Sequence, residues 1–335
     1  MEAHLTRARA ASFHTGFMPG PVIVVVGPTA AGKSDLSLAL ARSLGGEVVN
    51  ADCMQLYRGM DIGTAKLAPG QRAGVPHHLL DVWDVRKTAS VAEYQQMARA
   101  AVDDIRSRGR VPVLVGGSGL YVRAVLDRLE FPGTDPVLRE RLEAELAADG
   151  AAALHARLSR LDPAAASVIL ASNGRRIVRA LEVIELSGRP FTASLPGYDA
   201  VYPSVQVGLR LPRADLADRI AARVDRMWQA GLVDEVTRLA RDGLRAGRTA
   251  SRALGYAQVL RCLDGDWGEE HARAETVRAT RRFARRQEAW FRRDPRVRWI
   301  PANAGDLLTQ ALEAVTSTNI GACGSRRGTA PRTTS

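Results

Sequence analysis

Two short stretches carry residue types and spacings that can do chemistry. The first is Gly27-Pro28-Thr29-Ala30-Ala31-Gly32-Lys33-Ser34. It fits the G-x-x-x-x-G-K-[ST] pattern, in which glycines let the backbone fold against phosphate oxygens and the amides and lysine supply positive charge. The Ser34 hydroxyl suits a Mg²⁺ ligand, so the stretch is expected to bind a pyrophosphate-like group with that ion. The second is "NADCMQLYRGMDIGTAK", Asn50–Lys66, which places Asp52 two residues beyond a strand-like run. A carboxylate there can be a metal ligand, a general base or a turn cap, and position alone does not choose.

These residues need a frame. Val22–Val26 is a β-branched apolar run and reads as a buried parallel strand; Ser34–Ser43 reads as a helix and Glu47–Asn50 as a second strand. That βαβ unit predicts an α/β fold of P-loop NTPase type, a parallel sheet whose ligands lie beyond the carboxyl ends of its strands. Val111–Val115, Val205–Leu211 and "VRWI" continue the strand pattern, whereas Asp135 to Arg189 is helical throughout. The expected organisation is an N-terminal extension 1–20 (translation starting at Met18 being one reading), a core of 21–134 and 200–316, an all-helical insertion 135–199, and a disordered tail 317–335.

Composition narrows the partners. The 335 residues carry a net charge of +11, and all but three of the 47 basic residues (Lys33, Lys66 and Lys87) are arginine. Such a balance favours a polyanion, although a GC-rich genome also raises arginine content. Three cysteines without a C-x-x-C argue against a disulfide framework and point to a reducing cytoplasm. The longest apolar runs are too short to span a membrane. Arg175, Arg176 and Arg179 fall within roughly 100° on a helical projection. Arg278, Arg281, Arg282, Arg285, Arg286, Arg292 and Arg293 form a stripe of about 140° with no acid in it, a surface suited to RNA phosphates. His77 and His78 read as structural or substrate-lining. Asp81 is a weak candidate metal ligand, and Asp61 reads equally as a support for the loop or metal site and as a turn cap. Arg223, on an amphipathic helix with Asp225, is a candidate to reach a diphosphate.

No N-K-x-D is present, which argues against a GTPase, but "GPTAAGKS" by itself also fits a nucleoside or small-molecule kinase. The blocks "GPTAAGKS", "NADCMQLYRGMDIGTAK", "GVPHHLLDV", "PVLVGGSGLY", "NGRRIVRALEV", "ASRALGYAQ" and "ARRQEAWFRRD" fall in order from about residue 22 to 300. Together they resemble the tRNA dimethylallyltransferases, also called tRNA isopentenyltransferases, of bacterial type. The resemblance implies transfer of a dimethylallyl group from dimethylallyl diphosphate to N6 of the adenosine 3′-adjacent to the anticodon, position 37. It implies that Gly27 to Ser34 hold an isoprenoid diphosphate rather than ATP, and that Asp52 is the general base, with Lys33 and Ser118 completing the catalytic set. It also places Asp52, Cys53, Met54, Gln55 and Ser118 along the target nucleotide. Arg139 and the stretch Arg175, Arg176, Ile177, Val178 and Arg179 become tRNA contacts, joined by Arg281, Arg282 and Arg285 of the C-terminal stripe. The partners implied are the tRNA anticodon stem-loop and the donor, with no required protein partner. Cys53 stands where serine is more usual, and Ser34 and Ser118 replace threonines with the hydroxyls kept.

Overall fold

The structure, a computed structural model, describes residues 20–191 and 195–324, with 318–324 as backbone only. The expectations for residues 1–19, including a start at Met18, lie outside the described residues.

Strand β1 (Val22–Val26) is wholly buried and occupies the middle of a six-stranded parallel sheet. In chain order the others are β2 (Glu47–Asn50), β3 (His77–His78), β4 (Pro112–Val115), β5 (Ser204–Arg210) and β6 (Val297–Pro301). The spatial order is β3-β2-β4-β1-β5-β6, with Val24 aligned to Leu114 on one side and Gln206 on the other. Alternation along β1 sends its side chains to two cores. Val22, Val24 and Val26 pack with α2 (Val91–Ser107) and α3 (Gly119–Leu126), while Ile23 and Val25 pack with α1 (Lys33–Leu44) and α11 (Leu307–Gly324). Both faces are therefore covered, which is why the strands carry few polar residues.

Between α3 and β5 the chain leaves the sheet. Helices α4 (Pro136–Leu161), α5 (Pro163–Val168) and α6 (Gly174–Ser187) enclose a separate core of Leu142, Leu154, Leu158, Ile169, Ile177 and Leu181. Asp135 caps α4, its carboxylate accepting the Val137 and Leu138 amides, and α4 kinks at Gly150, where φ is 81°. After β5 come α7 (Arg213–Gln229), α8 (Leu232–Arg241), α9 (Tyr256–Leu263) and the long α10 (Glu269–Phe291).

One expectation changes and another narrows. Helix α11 runs to Gly324, so the first residues of the segment read as a disordered tail, 317–335, are helical; the remainder lies outside the described residues. His77 and His78 form the edge strand β3 itself, with His77 Nδ1 2.8 Å from the Val75 carbonyl and His78 Nε2 2.7 Å from Glu47. Their place in the molecule is structural.

Candidate active site

The P-loop links the carboxyl end of β1 to α1, and its conformation explains its glycines. Gly27 has φ 137°, and a Cβ there would stand 2.7 Å from the Leu209 carbonyl oxygen; Gly32 caps α1 at φ 90°. Lys33 follows and donates to the Pro28 carbonyl at 2.8 Å. Loss of water around the Lys33 ammonium pulls it down to about 8, against the opposing pull of the Asp52 charge and with a further push from Arg223.

Two cavities meet beside this loop. A polar chamber of about 820 Å³ is lined by Lys33, Ser34, Asn50, Gln55, Arg219 and Arg226. A chamber of about 580 Å³ is lined mainly by apolar groups, among them Met54, Leu120, Val224, Phe283 and Trp290. Thr29, Asp52, Thr64, Arg223, Met227 and Gln287 line both and so mark the junction. Desolvation lowers the Arg223 guanidinium, with the Asp52 charge opposing.

Asp52 is held at this junction by its own loop. The Asn50 side chain accepts the Asp52 amide at 2.9 Å, and Asp52 Oδ1 accepts the Met54 amide at 3.0 Å. One carboxylate oxygen thus caps a turn, and Oδ2 takes no hydrogen bond among the described residues. Ser118, at the end of the β4–α3 loop, brings its hydroxyl within 3.5 Å of the Cys53 amide and thiol. Desolvation, seconded by the Asp52 charge, pushes that thiol up to about 12, so Cys53 is a neutral lining group.

The polar string after Asp52 is a packed loop. Lys66, with only 3% of its side chain exposed, donates to the Tyr57 carbonyl and to Asp61 and Asp81 at 2.6–2.8 Å. Asp81 and Asp61 are therefore partners of Lys66. From α8, buried Glu235 accepts the Asp61, Ile62 and Gly63 amides and the Tyr256 hydroxyl. That anchors the loop so that the Thr64 carbonyl accepts both Gln55 and Arg223 at 3.2 Å.

Two residues of the site carry no signal of their own in the sequence: Glu235, and Gln287 of α10. Gln287 accepts the Thr29 amide at 2.8 Å and donates to the Gly117 carbonyl at 3.0 Å. A Cβ on Gly117 would fall 2.0 Å from the Gln287 amide nitrogen, and one on Gly119 equally close to the Trp290 indole. The run Gly116-Gly117-Ser118-Gly119 is thus bare so that α10 can lie against it. The glycines are the available signal; their partner on α10 is visible only in the fold.

The arginines expected at tRNA divide. Ile177 and Val178 are both buried in the core of the insertion, so their side chains point away from the surface and only their backbone is open to the tRNA contact expected of them. Arg139 and Arg179 both bind the fully buried Glu182, and Arg179 also donates to the Pro132 and Gly133 carbonyls. Arg175 and Arg176 are exposed. On α10 the stripe is not free of acid, since Arg278 pairs with Glu275, and Arg292, just beyond the helix, pairs with Glu288. Arg281 turns inward to the Ala217 carbonyl. Arg282, Arg285 and Arg286 are exposed without a carboxylate partner among the described residues, and Arg286 also lines the apolar chamber.

Fold and site define a P-loop α/β protein whose polar chamber opens into an apolar one, with an inserted helical bundle. The sequence profile of the IPP transferases matches residues 55–294, and the chain belongs to that family. A tRNA dimethylallyltransferase of Thermobifida fusca is 68% identical over 299 residues, 88% of this chain and 94% of the relative. The crystal structure of a tRNA isopentenylpyrophosphate transferase from Bacillus halodurans superposes with a TM-score of 0.66 at 41% identity, covering 89% of this chain and 95% of that one. The structure of a eukaryotic dimethylallyltransferase acting on tRNA matches the fold with a TM-score of 0.77 at 24% identity, covering 93% and 82%. No helix among the described residues is long and apolar enough to cross a membrane.

Proposed function

We propose that the chain transfers a dimethylallyl group from dimethylallyl diphosphate to N6 of adenosine 37 of tRNA, releasing diphosphate, in the cytoplasm. The observation that carries this reading is the place of Asp52. It stands where a phosphate chamber joins an apolar chamber, beside Lys33 and Arg223. A donor with an anionic diphosphate and an apolar prenyl tail needs that pair of environments, with the reacting carbon at their junction.

The chemistry follows from the residues. The adenine amine attacks the allylic carbon of the donor as the carbon–oxygen bond to diphosphate breaks, its electron pair leaving with the diphosphate. Lys33, Arg223 and the P-loop amides stabilise that departing charge. Asp52 takes the amine proton as the new nitrogen–carbon bond forms. The base reaches the junction by leaving the anticodon-loop stack, and the apolar walls supplied by Met54, Val224 and Phe283 receive it and the prenyl group. Mg²⁺ suits this donor set. Ser34 is a single hydroxyl on the phosphate chamber, and Mg²⁺ is commonly held by one or two protein groups with phosphate oxygens and water. When bound it would add to the neutralisation of the leaving group.

The competing reading is a P-loop kinase. Its candidate acidic metal ligand, Asp81, is engaged by Lys66, and β4 runs into glycines. Purified protein, unmodified tRNA and labelled dimethylallyl diphosphate decide between them. Label is expected in tRNA, with ATP neither hydrolysed nor used as phosphoryl donor; ATP-dependent phosphorylation of a nucleoside would overturn the proposal. Asp52→Asn is expected to slow single-turnover transfer by about 10²- to 10⁴-fold with tRNA affinity kept.

A further inference from the structure

Gln287 is a buried polar side chain, 6% exposed, on the helix that also carries Arg282, Arg285 and Arg286. Both ends of its amide are used, and they are used on different walls of the site. Its oxygen accepts the amide of Thr29 in the P-loop; its nitrogen donates to the carbonyl of Gly117. Gly117 precedes Ser118, whose hydroxyl meets the Cys53 amide next to Asp52. A single chain of contacts therefore runs from the loop that cradles phosphate, through Gln287, to the loop that holds the carboxylate.

From this arrangement we infer that Gln287 is a positioning residue, fixing the donor cradle relative to Asp52. The inference rests on the prenyl-transfer reading for its rate predictions. Two loops that approach a junction from separate strands have no covalent reason to keep one spacing. Bond formation requires reacting atoms about 3–3.5 Å apart, and a displacement of about 1 Å can cost about 10²-fold in rate. An amide suits the place because one end must accept and the other must donate. Gly117 lacks a side chain because any Cβ would occupy the space of the Gln287 nitrogen. Thr29 adds to the case, since its amide is a P-loop donor committed to protein and so sets the loop's register before any anion arrives.

The fit gives the inference an unusual test. Gln287→Glu keeps the shape and can still accept the Thr29 amide. Ionised, it points a carboxylate oxygen at the Gly117 carbonyl; protonated, it regains a donor there. Burial, the carbonyl and the Asp52 charge at the same junction favour the protonated acid, against the pull of the Arg223 and Lys33 cations that line it. Single-turnover transfer by Gln287→Glu, with donor and tRNA saturating, is therefore expected to fall on the order of 10²-fold at pH 8 and to recover as pH is lowered toward 6. Gln287→Met, which cannot titrate, is expected to be slow at every pH. Binding of tRNA by both variants should match that of the unaltered protein, because the exposed arginines are untouched.

A second measurement does not depend on transfer. Calorimetric affinity for inorganic pyrophosphate should weaken about tenfold or more in Gln287→Met, because the P-loop loses its tie to α10. Unaltered rates and pyrophosphate affinity in both variants would overturn the inference. So would losses that are independent of pH in Gln287→Glu and parallel a fall in tRNA affinity. Failure of the unaltered protein to prenylate tRNA would instead refute the functional proposal, leaving the pyrophosphate arm to judge Gln287.

Discussion

The basic residues of the core rim and those of the helical insertion carry the same charge in opposite circumstances. Around the junction, Lys33 and Arg223 are half-buried and have no ion pair within 4 Å among the described residues, and desolvation acts against their charge. In the insertion, Arg139 and Arg179 share Glu182, while Arg141 and Arg157 share Glu185. A cation drawn out of water without an ion pair costs stability, and groups perturbed in this way cluster at functional sites. A cation that the fold already neutralises is spent on the fold. The contrast teaches that arginines must be sorted by their carboxylates before they are assigned to RNA.

Lys33 tests the contrast hardest. Lys33→Met should lower the prenyl-transfer rate by about 10²- to 10³-fold, as loss of a preorganised charge at the leaving group does. The same change should stabilise the fold. With a folded pKa of about 8 against an ordinary 10.5, the unfolded chain holds more protons between those values. Stability of the unaltered protein should therefore rise with pH from about 8 to 10.5. Below that window the desolvated charge costs roughly 3 kcal/mol by linkage, which Lys33→Met removes. Urea melts at either end of the window measure this; a variant less stable than the unaltered protein at neutral pH would contradict it.

The next effect lies on α10. Neutralising Arg282, Arg285 and Arg286 to Gln should weaken tRNA binding and reduce its salt slope by roughly 0.7 to 0.9 of a log unit for each phosphate no longer neutralised. Pyrophosphate affinity should change little. An unaltered slope would place these residues with the paired arginines of the insertion.

Arg139→Met examines the other side. Glu182 is fully buried, and burial would raise its carboxyl; the hydrogen bonds from Arg139 and Arg179 more than offset this and hold it below the ordinary range. Removing one partner should destabilise the insertion by about 1–3 kcal/mol, seen in a thermal melt, while the salt slope of tRNA binding stays as it was. A fall in the slope without a fall in stability would return Arg139 to the RNA surface.

The same sorting explains what the sequence can and cannot show. The central strand is readable because a parallel strand buried on both faces is a plain apolar run, as in Val22–Val26. The P-loop is readable because its signal is local, eight consecutive residues with glycines, a lysine and a hydroxyl at fixed spacing. Strand β3 is not, since two histidines carry no strand pattern and form one only against Val48 and Val49. The resemblance carries Ile177 and Val178 to RNA along with their neighbours, although helical geometry turns them inward. Glu235 and Gln287 escape notice because their partners lie 172–174 and 258 positions away. Only the fold brings them together.

The mildest change is expected at the far end of the strands, where the core does use paired charge. Glu47 opens β2 with its side chain 4% exposed, and Arg108 meets both of its oxygens, at 2.5 and 2.9 Å. His78 approaches the same carboxylate at 2.7 Å. The Arg108 hydrogen bonds, against the cost of burial, bring the Glu47 carboxyl down to about 2. A carboxyl lowered in the folded state binds fewer protons there than in the unfolded chain. Its contribution is therefore complete above the ordinary value of 4.5 and is lost as pH falls toward 2. Arg108 is largely open to solvent, which screens the pair, so the effect should be modest. Glu47→Gln should leave the protein less stable at neutral pH yet flatten the acid limb of its stability curve between about pH 4.5 and 2. The site lies at the opposite rim of the sheet, so prenyl transfer at neutral pH should be unchanged. Urea midpoints taken across that pH range test this, and an acid limb as steep in Glu47→Gln as in the unaltered protein would show that the pair does not link folding to protons.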